Sequence, residues 1–310
     1  MKLFDLHCDT PYEMMHRHAS LSHNNLHISL DKTAPYSTYI QSAAVWSDHR
    51  LSDNDAWDAY LRISDHFIRT VNETPDACMA RTAEDIRRAA VTGERCFISA
   101  VEDARILAGD LSRLQILKGR GVRFLTLTWA GETCIGGSHD TGALLTAFGR
   151  DVVKECFSHG IIPDVSHASR AMTAEVLQMA KEHGKPVIAT HSNAYSVHPH
   201  SRNLTDDEFR AITSVGGIVG ISLCPEHITS SRCDISAVAD HIRHYLHLGG
   251  ENSLCLGCDF DGISSTPDRL WDVSCLVQLA EHLNHAGISS RVIDKLFFDN
   301  AYGFAVKNFQ

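Results

Sequence analysis

Five short segments of this chain place imidazole or carboxylate groups at the ends of apolar, β-branched runs. They are LFDLHCDT (His7, Asp9), FISAVED (Glu102, Asp103), IIPDVSH (His167), PVIATHSN (His191) and LCLGCDFDG (Asp259, Asp261). Imidazole nitrogens and carboxylate oxygens are what a zinc-type cation binds. On an extended chain, His7 and Asp9 project to the same side and Cys8 to the other, so H-x-D makes a two-toothed chelate. The donor count suggests two ions. His7, Asp9 and Glu102 can serve the first, and His167 and His191 the second. Glu102 is shared, because one carboxylate can bridge cations about 3.5–4 Å apart. A water held by both would lose a proton near neutral pH and attack an amide carbonyl, with Asp259 taking up the proton or steering the nucleophile. Taken singly, each residue has an ordinary structural explanation. His167 could cap the helix starting near Ser169, His191 could sit in a turn, and Asp259 or Asp261 could shape the D-F-D-G turn. Five such placements at five strand ends are what carry the reading.

Such a donor set needs a scaffold that brings strand ends together. The apolar runs predict strands over 2–6, 40–46, 96–101, 123–128, 161–165, 186–190, 217–223 and 254–258. Amphipathic stretches predict helices over 53–71, 111–119, 146–159, 169–183, 205–214, 235–247 and 270–285. Thr205 precedes Asp206, Asp207 and Glu208 as a helix cap, and Gly160, Gly184 and Gly249 stand just past helix ends. The segment 14–39 is polar and irregular and reads as an active-site loop. Eight strand–helix alternations favour a closed (β/α)8 TIM-type barrel, an α/β fold, over an open sheet, with residues 1–310 as one domain. Catalytic groups in such a barrel come from the C-terminal strand ends, where these clusters fall.

Composition narrows the function classes. A 310-residue chain with 44% hydrophobic and 21% charged residues can bury a full core. Its formal charge of −10, without a basic patch, argues against a nucleic-acid partner. No run reaches the roughly 18 apolar residues of a membrane span. The opening and closing residues lack the apolar stretch of a secretion leader or an anchor tail, so neither is expected. Several of the ten cysteines, among them Cys96, Cys156 and Cys255, lie inside apolar runs and suggest buried, reduced thiols in a cytoplasmic protein. Cys255 and Cys258 form a C-x-x-C that lacks a second pair for a zinc site and reads as part of a strand.

The segments DLHCDT, VED, LTLTW, IIPDVSHAS, ATHSNAYSVHPHSRNLTDDEF and LGCDFDG together resemble the membrane (renal) dipeptidase family of the amidohydrolase superfamily, from Leu3 to the NAYGF near the C-terminus. The resemblance implies a (β/α)8 barrel with two zinc ions (manganese or cobalt would also suit the ligands) and the hydrolysis of small dipeptides. It implies that His7, Asp9 and Glu102 hold one ion and Glu102, His167 and His191 the other. Asp259 becomes the acid/base group that meets the substrate's amino group, and Arg202 the receptor of its carboxylate, a bidentate task for a guanidinium. Trp129, His139 and Tyr195 are further expected substrate contacts. Some family members carry a histidine after the L-T-L-T run as an oxyanion stabiliser; this chain has Trp129 there, as other bacterial-type members do, and His139 is the expected substitute. Asp103 and Ala104 follow Glu102 where many members have glycines, so the pocket floor should differ. The family also suggests a homodimer and tolerance of a D-residue at the C-terminal position.

Two other readings compete. The same centre could act on another amide, lactone or ester, against which Arg202 argues. A barrel that has lost turnover could hold metal or bind a partner, but such a protein should lack a ligand, and every expected ligand position is filled.

Overall fold

The computed structural model describes residues 1–309. Eight strands form its sheet: β1 (Lys2–Cys8), β2 (Thr38–Trp46), β3 (Ala77–Ala80), β4 (Arg95–Glu102), β5 (Val122–Thr126), β6 (Ile162–Asp164), β7 (Val219–Ile221) and β8 (Leu254–Leu256). All pairings are parallel, in the order β6-β5-β4-β2-β1-β8-β7. Parallel bridges Asp164↔Ile188 and Ala189↔Val219 insert the segment 186–190 between β6 and β7 and close the ring. The result is an eight-membered TIM-type barrel whose staves coincide with the eight runs predicted from sequence. β3 is the additional strand, pairing with the first half of β4 below β5.

The helices are α1 (Thr10–Arg17), α2 (Asp53–Glu73), α3 (Ala83–Thr92), α4 (Ser112–Gly119), α5 (Ala147–His159), α6 (Arg170–His183), α7 (Asp206–Ser214), α8 (Pro225–Ile228), α9 (Ile235–His247), α10 (Leu276–His285), α11 (Ser290–Asp294) and α12 (Asn300–Asn308). Local chemistry sets their ends. Thr205 and Glu208 close a capping box on α7, Ser169 caps α6, and Gly160 and Gly184 end α5 and α6 at φ of 68° and 60°. α2 buries Trp57, Tyr60, Ile63, Phe67 and Val71, one face at helical spacing. Two expectations need correction. The segment 14–39 is not loop throughout: it begins inside α1, where Pro11 pre-sets the first turn, and it carries a 3₁₀ turn at Asp31–Thr33. The helix expected at 270–285 begins only at Leu276, after a 3₁₀ turn nucleated by Asp272.

Inside the ring, side chains stack in levels. Phe4, Ile40, Ile98, Phe124, Ile162, Ile188 and Ile218 belong to one buried cluster, continued by Phe298, Phe304 and Phe309 of the C-terminal segment. The even-numbered positions of β4 that supply this cluster end in Glu102, so the same face runs from apolar floor to polar mouth. In β1 a bulge intervenes: Asp5 pairs with Gln41, whereas Cys8 pairs with Ala43, three residues against two. The extra residue shifts the alternation, so Phe4 joins the floor and His7 and Asp9 still face inward at the mouth. Asp5 supports the bulge, its Oδ1 accepting the N–H of His7 and of Cys258 at 3.0 Å each. Tight contact is enforced at Gly257, where an added Cβ would lie 1.7 Å from the Thr190 carbonyl oxygen.

Candidate active site

At the C-terminal rim, the first, third, fifth, sixth and eighth staves bring the five segments together. Glu102 Oε1 lies 2.9 Å from His167 Nε2, 3.5 Å from His191 Nε2 and 3.7 Å from His7 Nε2. His7 Nε2 is also 3.5 Å from Asp9 Oδ2 and 3.8 Å from Asp259 Oδ1. Three donor sets therefore converge: His7, Asp9 and Glu102; Glu102, His167 and His191; and His7, His191 and Asp259. The first two are the sets expected from sequence.

These residues fit cations. His7 Nε2 and Asp9 Oδ1 are buried without a hydrogen-bond partner, aimed into a centre where carboxylates crowd together. Burial works against ionisation of Glu102, but His7 and His167 outweigh it and hold the carboxyl well below its usual range. Burial and nearby Arg202 push His167 down to about 4, and burial with His7 and Arg202 holds His191 well below its usual range. Both imidazoles are thus neutral near pH 7, the form that ligates. Burial pushes the Asp259 carboxyl up to about 7, with His7 and Arg202 pulling it down and Glu102 pushing it up.

Below the ligands lies a polar belt that sequence reasoning missed. Asp164 Oδ2 accepts the hydroxyls of Thr126 and Thr190, each at 2.6 Å. Its Oδ1 accepts the N–H of Ser166 and Thr190. Because the Thr190 proton is committed to Asp164, its oxygen accepts from His191 Nδ1–H at 2.8 Å, which leaves Nε2 as the free lone pair. The same oxygen is 3.5 Å from His7 Nδ1. The available signal was a carboxylate inside the apolar run IIPDV, a costly placement unless it is fully hydrogen-bonded. Thr190→Val keeps the shape and removes the hydroxyl. It is expected to weaken metal affinity by about 10–100-fold, measured by titration against a competing chelator; unchanged affinity would show that the hydroxyl does not orient the ligands.

Backbone strain marks the same place. His167, Asp259 and Asp261 adopt φ of 69°, 63° and 68°, a region L-residues rarely occupy. Gly262 is required beside them, since a Cβ there would meet Asp9 Oδ2 at 2.2 Å and Asp259 Oδ1 at 2.6 Å. Asp103 has φ of 89°, which accounts for glycine suiting that position; here its Oδ1 accepts Arg105 N–H and its Oδ2 lies 3.2 Å from Arg105 Nε. Arg105 in turn donates to the Asp48 and Leu51 carbonyls, so the floor is tied to the loop after β2.

The centre opens into a cavity of about 660 Å³ lined by Asp9, Glu102, His167, Asp259, Arg202, Trp129 and His139, among others. Arg202 is 4% exposed, donates from Nη2 to the His191 carbonyl at 3.2 Å and has a buried Nε with no partner. Its loop is pinned by Asn193, which pairs both ways with the Ser222 backbone, and by Asn203, which donates to the His198 and His227 carbonyls. Trp129 packs its ring 6.1 Å from that of His167, and His139 Nδ1 is 2.8 Å from Ser201 Oγ. Tyr195 is not brought in: it does not line the cavity, is 38% exposed and lies under the Arg170 guanidinium. All ten cysteines, including Cys255 and Cys258, are free. No helix among the described residues is long and apolar enough to cross a membrane.

Comparison with known proteins gives a consistent picture. The family profile of membrane dipeptidase, peptidase family M19, matches residues 1–303. An uncharacterized protein from the pqqA 5′ region of Klebsiella pneumoniae is 33% identical over 232 residues, 71% of this chain and 84% of that protein. The dipeptidase aclJ of Aspergillus oryzae is 32% identical over 268 residues, 82% of this chain but 62% of the fungal protein. A crystal structure of a dipeptidase of metallopeptidase family M19 superposes with a TM-score of 0.91 at 25% identity, covering 100% of this chain and 99% of the other. A Rhodobacter sphaeroides metallopeptidase, crystallised with a phosphinate mimic of the dipeptide L-Ala-D-Ala, shares the fold at a TM-score of 0.90 and 24% identity, over 100% of this chain and 99% of its own.

Proposed function

This chain belongs to the membrane dipeptidase family of metal-dependent dipeptidases, peptidase family M19, and from that premise we propose that it is a two-zinc enzyme cleaving free dipeptides. The observation that carries the two-ion reading is Glu102: a single carboxylate oxygen within 3.7 Å of three Nε2 atoms from three staves. His7, Asp9 and Glu102 would hold one ion, and Glu102, His167 and His191 the other. Bound there, the pair would supply a bridging water acidified to hydroxide and Lewis-acid polarisation of the scissile carbonyl.

The chain's own groups do the rest. Arg202, held by its Nη2 bond to the His191 carbonyl, receives the substrate carboxylate with its unpartnered Nε, in a buried setting that strengthens the pairing. Asp259 orients the substrate amino group, accepts the proton of the attacking water and returns it to the leaving amine. With Nδ1 accepting from the Ser201 hydroxyl 2.8 Å away, His139 would carry its proton on Nε2 and could offer it to the developing oxyanion. Trp129 walls the centre beside His167. The closed ring and the family match over residues 1–303 support a single barrel domain across 1–310. Ten unpaired cysteines fit the cytoplasm, and a homodimer is the assembly the family suggests.

The test is hydrolysis of L-Ala-L-Ala, L-Ala-D-Ala and an N-acetylated control by zinc-reconstituted protein, with and without Arg202→Ala. Cleavage of free dipeptides that is lost with chelator and absent for the blocked control is the expected result, and the L-Ala-D-Ala rate reads the D-residue tolerance. Arg202→Ala should raise KM for dipeptides about a hundredfold while sparing dipeptide amides. Equal effects on both would remove Arg202 from its role, and no cleavage with two ions bound would point instead to another amide, lactone or ester.

A further inference from the structure

The ring order sets the two expected substrate anchors two staves apart. Arg202 follows the sixth stave and Asp259 follows the eighth, β8, which pairs with β1. A substrate with its carboxylate on Arg202 and its amino group at Asp259 would have its N-terminal residue on the side of the ring where β8 meets β1, next to β2. Trp46 ends β2, four staves from Arg202, on the opposite side of an eight-membered ring.

That side is an aromatic wall. The Tyr12 and Trp46 rings meet edge to face at 4.9 Å, Trp46 and Trp129 at 5.3 Å, and His49 stacks on Trp129 at 5.4 Å. All four line the cavity. The charges along this wall are matched locally, Glu13 by Arg17 and Asp48 by Arg50, so it offers no net charge to select an acidic or basic side chain. A cavity of about 660 Å³ falls among pockets that take drug-sized ligands, far more room than two methyl side chains fill.

We propose that Trp46, flanked by Tyr12 and Trp129, forms the subsite for the side chain of the N-terminal residue, so that the substrate class is dipeptides beginning with an aromatic or large apolar residue. This rests on the dipeptidase reading above. Aromatic faces and edges reward an aromatic side chain beyond the area it buries.

The experiment compares kcat/KM for L-Phe-L-Ala, L-Leu-L-Ala, L-Ala-L-Ala and L-Ala-L-Phe in the zinc-loaded wild type, Trp46→Ala and Trp46→Leu. L-Phe-L-Ala should exceed L-Ala-L-Ala at least about tenfold in the wild type, and that ratio should fall toward one in Trp46→Ala. Trp46→Leu, which retains apolar bulk, should keep the preference for L-Leu-L-Ala over L-Ala-L-Ala and lose the advantage of phenylalanine over leucine. Apart from turnover, L-phenylalaninamide should quench tryptophan fluorescence at concentrations about tenfold below L-alaninamide in the wild type; this gap should close in Trp46→Ala and only narrow in Trp46→Leu. Cleavage of L-Ala-L-Ala without an N-terminal preference, or a preference that follows the C-terminal residue or survives Trp46→Ala, overturns the subsite. Absence of any dipeptide cleavage by protein holding its metal overturns the underlying dipeptidase reading instead.

Discussion

Glu102→Ala is expected to empty both cation positions together and to lower kcat/KM for a free dipeptide by more than about 10³-fold. The reason is the sharing of one group. Among the described residues, Glu102 Oε1 is the one carboxylate oxygen paired with all three imidazoles of the two expected ligand sets, at 2.9, 3.5 and 3.7 Å. Without it, Asp9 remains the carboxylate of the first set, and the second is reduced to His167 and His191. The loss also releases the pairing that holds Glu102 ionised against its burial, so the histidines lose their counter-charge as well as their shared ligand. Metal analysis after dialysis, alongside a rate measurement, checks it. Retention of two tightly bound ions would refute the bridging role.

Asp259→Asn is expected to keep both ions and to lower kcat by about 10²–10⁴-fold, the range of a lost general acid/base. The substitution preserves size and hydrogen bonding but removes the basic oxygen. The site makes this experiment discriminating, because His7, His191 and Asp259 also converge as a third donor set. Two ions kept with kcat lost assigns Asp259 to proton transfer; an ion lost with the activity would make it a ligand. The strained backbone at Asp259, φ of 63°, and the carboxylates packed against Gly262 argue for asparagine over larger replacements.

The boundary between what the sequence determines and what folding decides runs through single residues of this site. The staves are local facts: short apolar runs rich in β-branched residues and bounded by glycines and polar residues favour buried strands over helices, and all eight are legible. The five expected ligand positions are named in the same way, from imidazoles and carboxylates at strand ends, and the fold brings those side chains together. Arg202 came from a motif rather than from physics. Its neighbour in the reading, Tyr195, shows the limit: one segment supplies both, yet its fold buries Arg202 and leaves Tyr195 outside the cavity.

What only the tertiary structure decided depends on partners distant in the chain. H-x-D guarantees that His7 and Asp9 share a side, but the bulge in β1 makes that side the lumen, and Asp5 holds the bulge by accepting an N–H from Cys258, 253 positions away. Asp164 and Thr190 look like ordinary strand residues until the ring brings them together at 2.6 Å beneath His191. Left-handed backbone at His167 and Asp259 runs against local preference, and tertiary packing imposes it. The opposition of Trp46 to Arg202 exists only once the barrel has closed. Periodicity and side-chain chemistry fix which groups reach the mouth of the barrel; ring closure fixes which of them face one another, because that depends on contacts no local stretch of chain contains.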